Sequence, residues 1–451
     1  MNWMRRHRRI RAVCFCLGLA GCASYHAAPL NLGSPLKPSL AALNRRQPDG
    51  GMIATGAPLS LQNVVALAVL NDPDLIAAHA QHGVSQADLL SAGLLPDPSI
   101  TAGFAALISG PGSIPAISGG LAQDISALIT YRANMAAAKA GQAQVDAGIL
   151  WQEWQVASQA EALCIAIVAD EQTLATLRAD DAALSEVDQA TQRQVGAGNM
   201  TIAASAASMA ALAATETALN TAIQTRGQDR DQLDALLGLE PGIDVPVRLP
   251  VFTPIPRGVA EQAIASLARR RPDLIALRYG YTEADARLRA AILTQFLPIS
   301  LGGTAGRDTS NVWSAGPQLT LNLPLFNRNR GGVASAAATR AQLAAQFAAS
   351  LAGAEGGAEA LLARTQELQE ESRVADDAAA SAAKIAAQSQ TAFNNGALDA
   401  LSAVNLQTAA ADRQREAITL REQRLTAVLA LETMLGIGLP AILQAVPEPT
   451  S

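Results

Sequence analysis

The apolar positions of the chain follow two different periods. In the first, Leu163, Ile167, Leu174, Leu177 and Leu184 step by 4, 7, 3 and 7, and Ile202, Met209, Leu212, Leu219 and Ile223 step by 7, 3, 7 and 4. Both read as coiled-coil seams, on a long helix and on its return. Residues 131–194 alone would span roughly 96 Å as a helix. A second long helix is predicted over 331–394. Its Gly353, Gly356 and Gly357 predict a kink or loosened turn, because each costs about 1 kcal/mol against alanine. Shorter helices of about 30 residues are expected near 60–93 and 259–295, with Ser60 and Glu261 near their starts but no full capping box.

The second period is two. Ile100, Ala102, Phe104, Ala106 and Ile108 alternate with Ser99, Thr101 and Gly103. Ile299, Leu301 and Ala305 alternate with Ser300, Gly302 and Thr304, and Trp313, Ala315, Leu319, Leu321, Leu323 and Leu325 alternate with Ser314, Gln318, Thr320 and Asn322. The stretch Ile117 to Ile125 is weaker, because Gln123 falls on its apolar face. These are strands of the kind that line a membrane β-barrel, with Ser109–Ser113 and Arg307–Asn311 as hairpin loops. A soluble hairpin lying on a helix would give a similar pattern.

The two periods occur twice in the same order. Pro73-Asp-Leu-Ile-Ala77 recurs as Pro272-Asp-Leu-Ile-Ala276, Leu95-Pro96 as Leu297-Pro298, Gly198 as Gly396, and Leu237-Gly238 as Leu435-Gly436. The offsets are 199, 202, 198 and 198, the mark of an internal duplication. The predicted organisation is residues 1–21 as a signal, 22–58 as an N-terminal linker, 59–238 as the first repeat and 239–258 as a proline-rich joint. Residues 259–438 form the second repeat and 439–451 a tail. Each repeat is a helix, a β-hairpin and a long helical hairpin. The fold class is therefore mainly α with a small β part.

Geometry then sets a constraint. Two hairpins supply four strands per chain, and an open sheet in lipid leaves edge N–H and C=O groups unpaired at several kcal/mol each. Bacterial barrels start at about eight strands. Two chains would supply eight strands and three would supply twelve, and the larger number leaves an open lumen more readily.

Composition narrows the classes further. Charged residues are only 16%, aromatics 3%, and the formal charge is −6. The acidic balance argues against nucleic acid, and the alanine-rich apolar content suits closely packed helices. Residues 5–11 are strongly basic and an apolar run follows to Leu19-Ala-Gly-Cys22, a secretory signal whose end resembles a bacterial lipobox. Cleavage there would place a diacylglycerol on Cys22; an ordinary signal with an incidental cysteine is the alternative. Losing residues 1–21 removes five arginines and no acid, lowering the charge from −6 to −11. Of the remaining cysteines only Cys164 would be free, in an apolar run that suggests a core position. The lipobox resemblance further implies outer-membrane sorting, since Ala23 is not the aspartate that goes with inner-membrane retention in that family.

The duplicated Pro-Asp-Leu helix, the Leu-Pro step into strands and the glycine turn resemble the TolC-type outer-membrane efflux factors over residues 60–438. Asn322-Leu-Pro-Leu-Phe-Asn-Arg-Asn-Arg-Gly331 resembles the cobalt–zinc–cadmium efflux branch. The resemblance implies a homotrimer with a twelve-stranded β-barrel and a periplasmic α-helical coiled-coil barrel. It further implies a periplasmic adaptor and a proton-driven RND-type inner-membrane pump as partners. The implied activity is passive conduction of metal cations or small organic compounds, without catalysis and with no cofactor beyond lipid. A coiled-coil lipoprotein spacer without a pore is the rival reading.

At the turn end, the resemblance implies acids six and nine residues after the second turn glycine. Counted from Gly396 those positions are Ser402 and Asn405, so an electrostatic gate of the usual kind is in doubt. Asp399 is the nearby acid and Thr201 its counterpart. Asp399 either forms a cation-favouring ring in the trimer or simply starts the return helix. Gly198, Gly396, Asp399, Ser402 and Asn405 are thus the candidate tip residues. His79 and His82 share a helical face but lack further ligands. Asp180-Asp181 and Asp376-Asp377 read as solvated, and Trp151 and Trp154 as core between helices, with packing at the membrane border as the alternative. No nucleophile elbow, phosphate loop or zinc spacing is present.

Overall fold

The computed structural model describes residues 25–437, apart from 48–49, 56–57, 107, 111, 113, 297–298 and 322–324. The signal, Cys22, Leu297-Pro298, Leu323 and the tail lie outside the described residues. Residues 25–36 belong to a unit of their own without regular elements. The second unit begins at Lys37 and holds both repeats.

The first repeat runs β1 (Leu59–Ser60), α1 (Leu61–Asn71), α2 (Pro73–Gly93), β2 (Ser99–Ala105), β3 (Ala116–Asp124), α3 (Ser126–Gly196) and α4 (Ile202–Leu236). After β4 (Val247–Arg248) come α5 (Arg257–Ile264), α6 (Leu267–Arg270), α7 (Pro272–Leu293), β5 (Ile299–Arg307), β6 (Trp313–Leu321), α8 (Arg330–Asn394) and α9 (Ala400–Leu435).

The single opening helix expected in each repeat is broken. Pro73 and Pro272 sit at the first position of α2 and α7, and the residues before them, Asp72 and Arg271, take ψ of 124° and 123°. Proline has no N–H to continue a helix and forces its predecessor out of the helical region. Ser60 caps α1 by accepting from the Asn63 amide at 3.2 Å, and Asp72 caps α2 by accepting from Leu75 at 2.8 Å. Glu261 does not start its helix. It lies inside α5 and pairs with Arg257 at 2.8 Å.

The long helices are continuous. α3 has 71 residues, roughly 106 Å of axis. α8 has 65 residues and its hydrogen-bonded ladder does not break at Gly353, Gly356 or Gly357, against expectation. Ala354, Ala358 and Leu362 are buried with Leu431 and Leu435 of α9, and a Cβ at Gly357 would come within 3.3 Å of Met434 Cε. Packing against the partner helix outweighs intrinsic propensity here.

The seam Leu163, Ile167, Leu174, Leu177 and Leu184 is buried as predicted. The return seam is not. Ile202, Met209 and Ile223 are exposed, and α4 instead buries Ser205, Ser208 and Thr215 against α3. The linkers are also more structured than predicted. Leu43 and Ile53 enter the core of α1, α3 and α4 together with Leu239 and Val245. The Lys37 amide donates to the Gly238 carbonyl at 2.9 Å, and β1 pairs parallel with β4.

Candidate functional site

The two hairpins form one four-stranded antiparallel sheet in the order β2-β3-β5-β6. Residues directly opposite in such a sheet share a face. One row reads Phe104, Ile117, Arg307, Trp313; another reads Ile100, Leu121, Gly303, Pro317; a third reads Gln123, Leu301, Leu319. The opposite face carries Thr101, Gly120, Thr304, Gly316 and Gly103, Ser118, Gly306, Ser314. The alternation of the sequence has thus become one face that is apolar apart from Arg307 and Gln123 near its two ends and one face of small polar residues. Among the described residues nothing covers the apolar face: Ile100 is 81%, Phe104 71% and Trp313 65% exposed. Gln123, the misfit, sits at a strand end and donates its amide to the Pro96 carbonyl at 2.7 Å.

The outer sides of β2 and β6 are unpaired within the sheet. Pro317 lies opposite Gly303. Having no N–H, it cannot occupy a hydrogen-bonded pair, so its nitrogen faces the free edge of β6. The expected hairpin loop Arg307–Asn311 is one residue shorter at its start, since Arg307 belongs to β5. Asp308 shapes the turn by accepting from the Ser310 and Val312 amides at 2.8 and 2.9 Å.

At the far end of α3 and α8 the two glycine turns are built alike. Gly198 has φ +74° and Gly396 φ +71°. The Asn199 amide donates to Gln194 at 2.9 Å and the Ala397 amide to Ala392 at 2.8 Å. Each is a helix C-terminal motif closed by a left-handed residue. Gly238 and Gly436, at +67° and +68°, close α4 and α9 in the same way. Asp399 caps α9: its carboxylate accepts from the Ser402 amide at 2.9 Å and the Ser402 hydroxyl at 2.7 Å. These hydrogen bonds hold its pKa below the usual carboxylate range. The cap reading of Asp399 is therefore the one its contacts support. Ser402 is half-buried and Asn405 exposed. Thr201 makes no side-chain cap.

Between the turns and the sheet, α3 meets α4 and α9 through polar layers that the sequence did not reveal. Buried Asp188 accepts from the Ser208 hydroxyl at 2.7 Å. Buried Asp180 accepts from Thr215 at 3.1 Å and from Gln407 of α9 at 3.4 Å, which corrects its reading as a solvated acid. Ser158 and Thr433 share a 2.6 Å hydrogen bond across the α3–α9 contact. Burial, and then the charge of Asp229 of α4, push Asp170 up to about 7. Burial, then Glu432 of α9, push Glu161 up to about 7.

Residues 263–437 match the family model described as outer membrane efflux protein. The outer-membrane channel OprN superposes with a TM-score of 0.71 at 17% identity, over 93% of this chain and 100% of its own. VceC of Vibrio cholerae gives 0.69 at 19%, over 84% and 96%. CmeC of Campylobacter jejuni gives 0.69 at 16%, over 93% and 94%. The chain has the TolC-type channel fold. No curated protein matches it. The resemblance read from the duplicated landmarks therefore holds for the fold, and the efflux-family match falls on the second repeat.

The remaining candidates take structural places. Trp154 is buried and Trp151 half-buried, edge-to-face at 6.0 Å, with the Arg271 guanidinium 4.9 Å above Trp151. Cys164 is buried, and burial pushes its thiol up to about 12. His79 and His82 of α2 pair with Glu153 at 3.1 Å and Asp146 at 2.6 Å on α3, joining the two helices. Among the described residues no helix is long and apolar enough to cross a membrane.

Proposed function

We propose that three copies of this chain form an outer-membrane channel of a tripartite efflux system. The observation that carries this reading is the open sheet: four strands with an uncovered apolar face and two unpaired edges. Hydrocarbon accepts such a face only once every edge is closed, and three sheets joined β6 to β2 give a twelve-stranded barrel with the Ser, Thr and Gly face inward. The long hairpins continue the tube into the periplasm, towards an adaptor and a proton-driven pump. The channel does no chemistry; it conducts passively.

The inward face favours no cargo by charge, so metal cations and small organic compounds both fit. The likeness of residues 322–331 to the metal-efflux branch supports metals. The glycine turns and Asp399, Ser402 and Asn405 form the periplasmic tip. Opening there requires the second hairpin to slide on α3, and the polar layers of that contact can exchange hydrogen bonds with water where an apolar seam could not. Lipid on Cys22 adds an anchor to that of the barrel.

Purified protein in planar bilayers tests the reading. It should give discrete, voltage-tolerant conductance steps. A folded, lipidated protein that never conducts would instead be a spacer.

A further inference from the structure

The junction between β6 and α8 carries side chains that neither pore nor tip uses. Leu325 is 66% and Phe326 99% exposed. Arg328 and Asn329 are adjacent non-glycine residues with φ of +46° and +49°, a conformation that costs about 1–2 kcal/mol per residue. The knuckle is fastened from below. The Asn329 amide donates to the Ala291 carbonyl at 2.9 Å and to the Thr294 hydroxyl at 2.5 Å, and Gly332 leaves the room that this side chain occupies.

Arg328 and Arg330 are exposed, and among the described residues neither has an ion-pair partner. Both stand at the start of a 65-residue helix with no acid in its first turn, the end where the helix dipole disfavours cations. The duplicated position in the first repeat is built differently. There Asp124 accepts from the Ser126 amide at 2.8 Å at the start of α3, with no left-handed residue. The repeat plan does not require the basic knuckle.

We propose that residues 325–330 clamp a phospholipid headgroup at the border of the membrane from which the helices project. The inference rests on the membrane reading of the sheet. The knuckle stands at the start of α8, the end of that helix next to the sheet in the chain, and its exposed Leu325 and Phe326 offer the apolar surface that meets the acyl boundary. The two exposed guanidinium groups then meet the phosphate, whose charge the helix end also favours.

The test uses the full lipidated assembly in nanodiscs of phosphatidylcholine with a minority of phosphatidylglycerol. A photo-crosslinker at Phe326 should capture lipid; capture of a neighbouring copy would overturn the proposal while leaving a conducting channel intact. R328Q/R330Q should retain several-fold less phosphatidylglycerol in native mass spectra with oligomer and conductance unchanged, and R328K/R330K should keep most of it. Unchanged retention in the glutamine variant, or displacement of the lipid by millimolar inorganic phosphate, would overturn it.

Discussion

The carboxyl groups of Asp170 and Asp229 lie close enough, where α3 packs on α4, for their charges to repel. Burial and that repulsion favour the protonated form of Asp170; Glu422 of α9 adds a further negative charge, and Arg226 opposes them. Nearer the strand end of α3, Glu161 faces Glu432. Burial between the helices thus pushes two carboxyl groups of α3 toward their protonated forms, one facing α4 and one facing α9.

This sets a pH dependence. Asp170 and Glu161 have folded values of about 7 against ordinary values of 3.8 and 4.5. The folded state therefore holds more protons than the unfolded one between about pH 4 and 7, and stability falls as pH rises through that window. The thermal midpoint of the assembled protein should be higher at pH 5.5 than at pH 7.5. E161Q/D170N should flatten that slope; a slope that survives the double substitution would exclude these groups as its source.

The turn glycines separate backbone strain from crowding. At Gly198 and Gly396 a Cβ would meet nothing within 4 Å, so G198A and G396A should each cost only about 1–2 kcal/mol of left-handed strain. At Gly238 a Cβ would meet the Asn71 carbonyl at 3.0 Å, and at Gly436 the Trp154 ring at 3.1 Å. G238A and G436A should cost about 1–3 kcal/mol more. Denaturant midpoints with unchanged slopes would read the difference.

The two faces of the sheet should respond oppositely to charge. L121R and L319R place arginine on the exposed apolar face, at a cost that rises with depth in the bilayer to about 2–4 kcal/mol at its midplane. They should prevent recovery of oligomer from membranes. T304R, on the polar face, should assemble normally and reduce single-channel conductance. Equal behaviour of the three variants would contradict the face assignment.

Asp399 carries two separable properties. D399N keeps an acceptor for the Ser402 amide but removes the charge, whereas D399A removes both. If a ring of Asp399 selects cations at the tip, D399N should shift the reversal potential towards non-selectivity in a salt gradient. A shift seen only with D399A would assign the residue to capping alone.

The parts legible in the sequence were those fixed by local stereochemistry. Proline starts and left-handed glycine stops recur at fixed offsets because no other residue fills those conformations at low cost, and period-two alternation survives because a one-residue slip would invert a strand's faces. What stayed hidden was set by packing. Gly357 sits in a continuous helix because Met434 covers it. The stripe of Ile202, Met209 and Ile223 points away from α3 because Ser208 and Thr215 find Asp188 and Asp180 there. A heptad count cannot see that a buried aspartate on one helix has recruited the hydroxyl face of the next. The break before Pro73 was within reach, since the residue preceding proline avoids the helix.

Native mass spectrometry of the full lipidated chain, extracted from membranes in mild detergent, asks most directly whether one sheet is incomplete alone. Three chains per particle is the predicted mass. A single chain that nevertheless stays folded and embedded in lipid would contradict it.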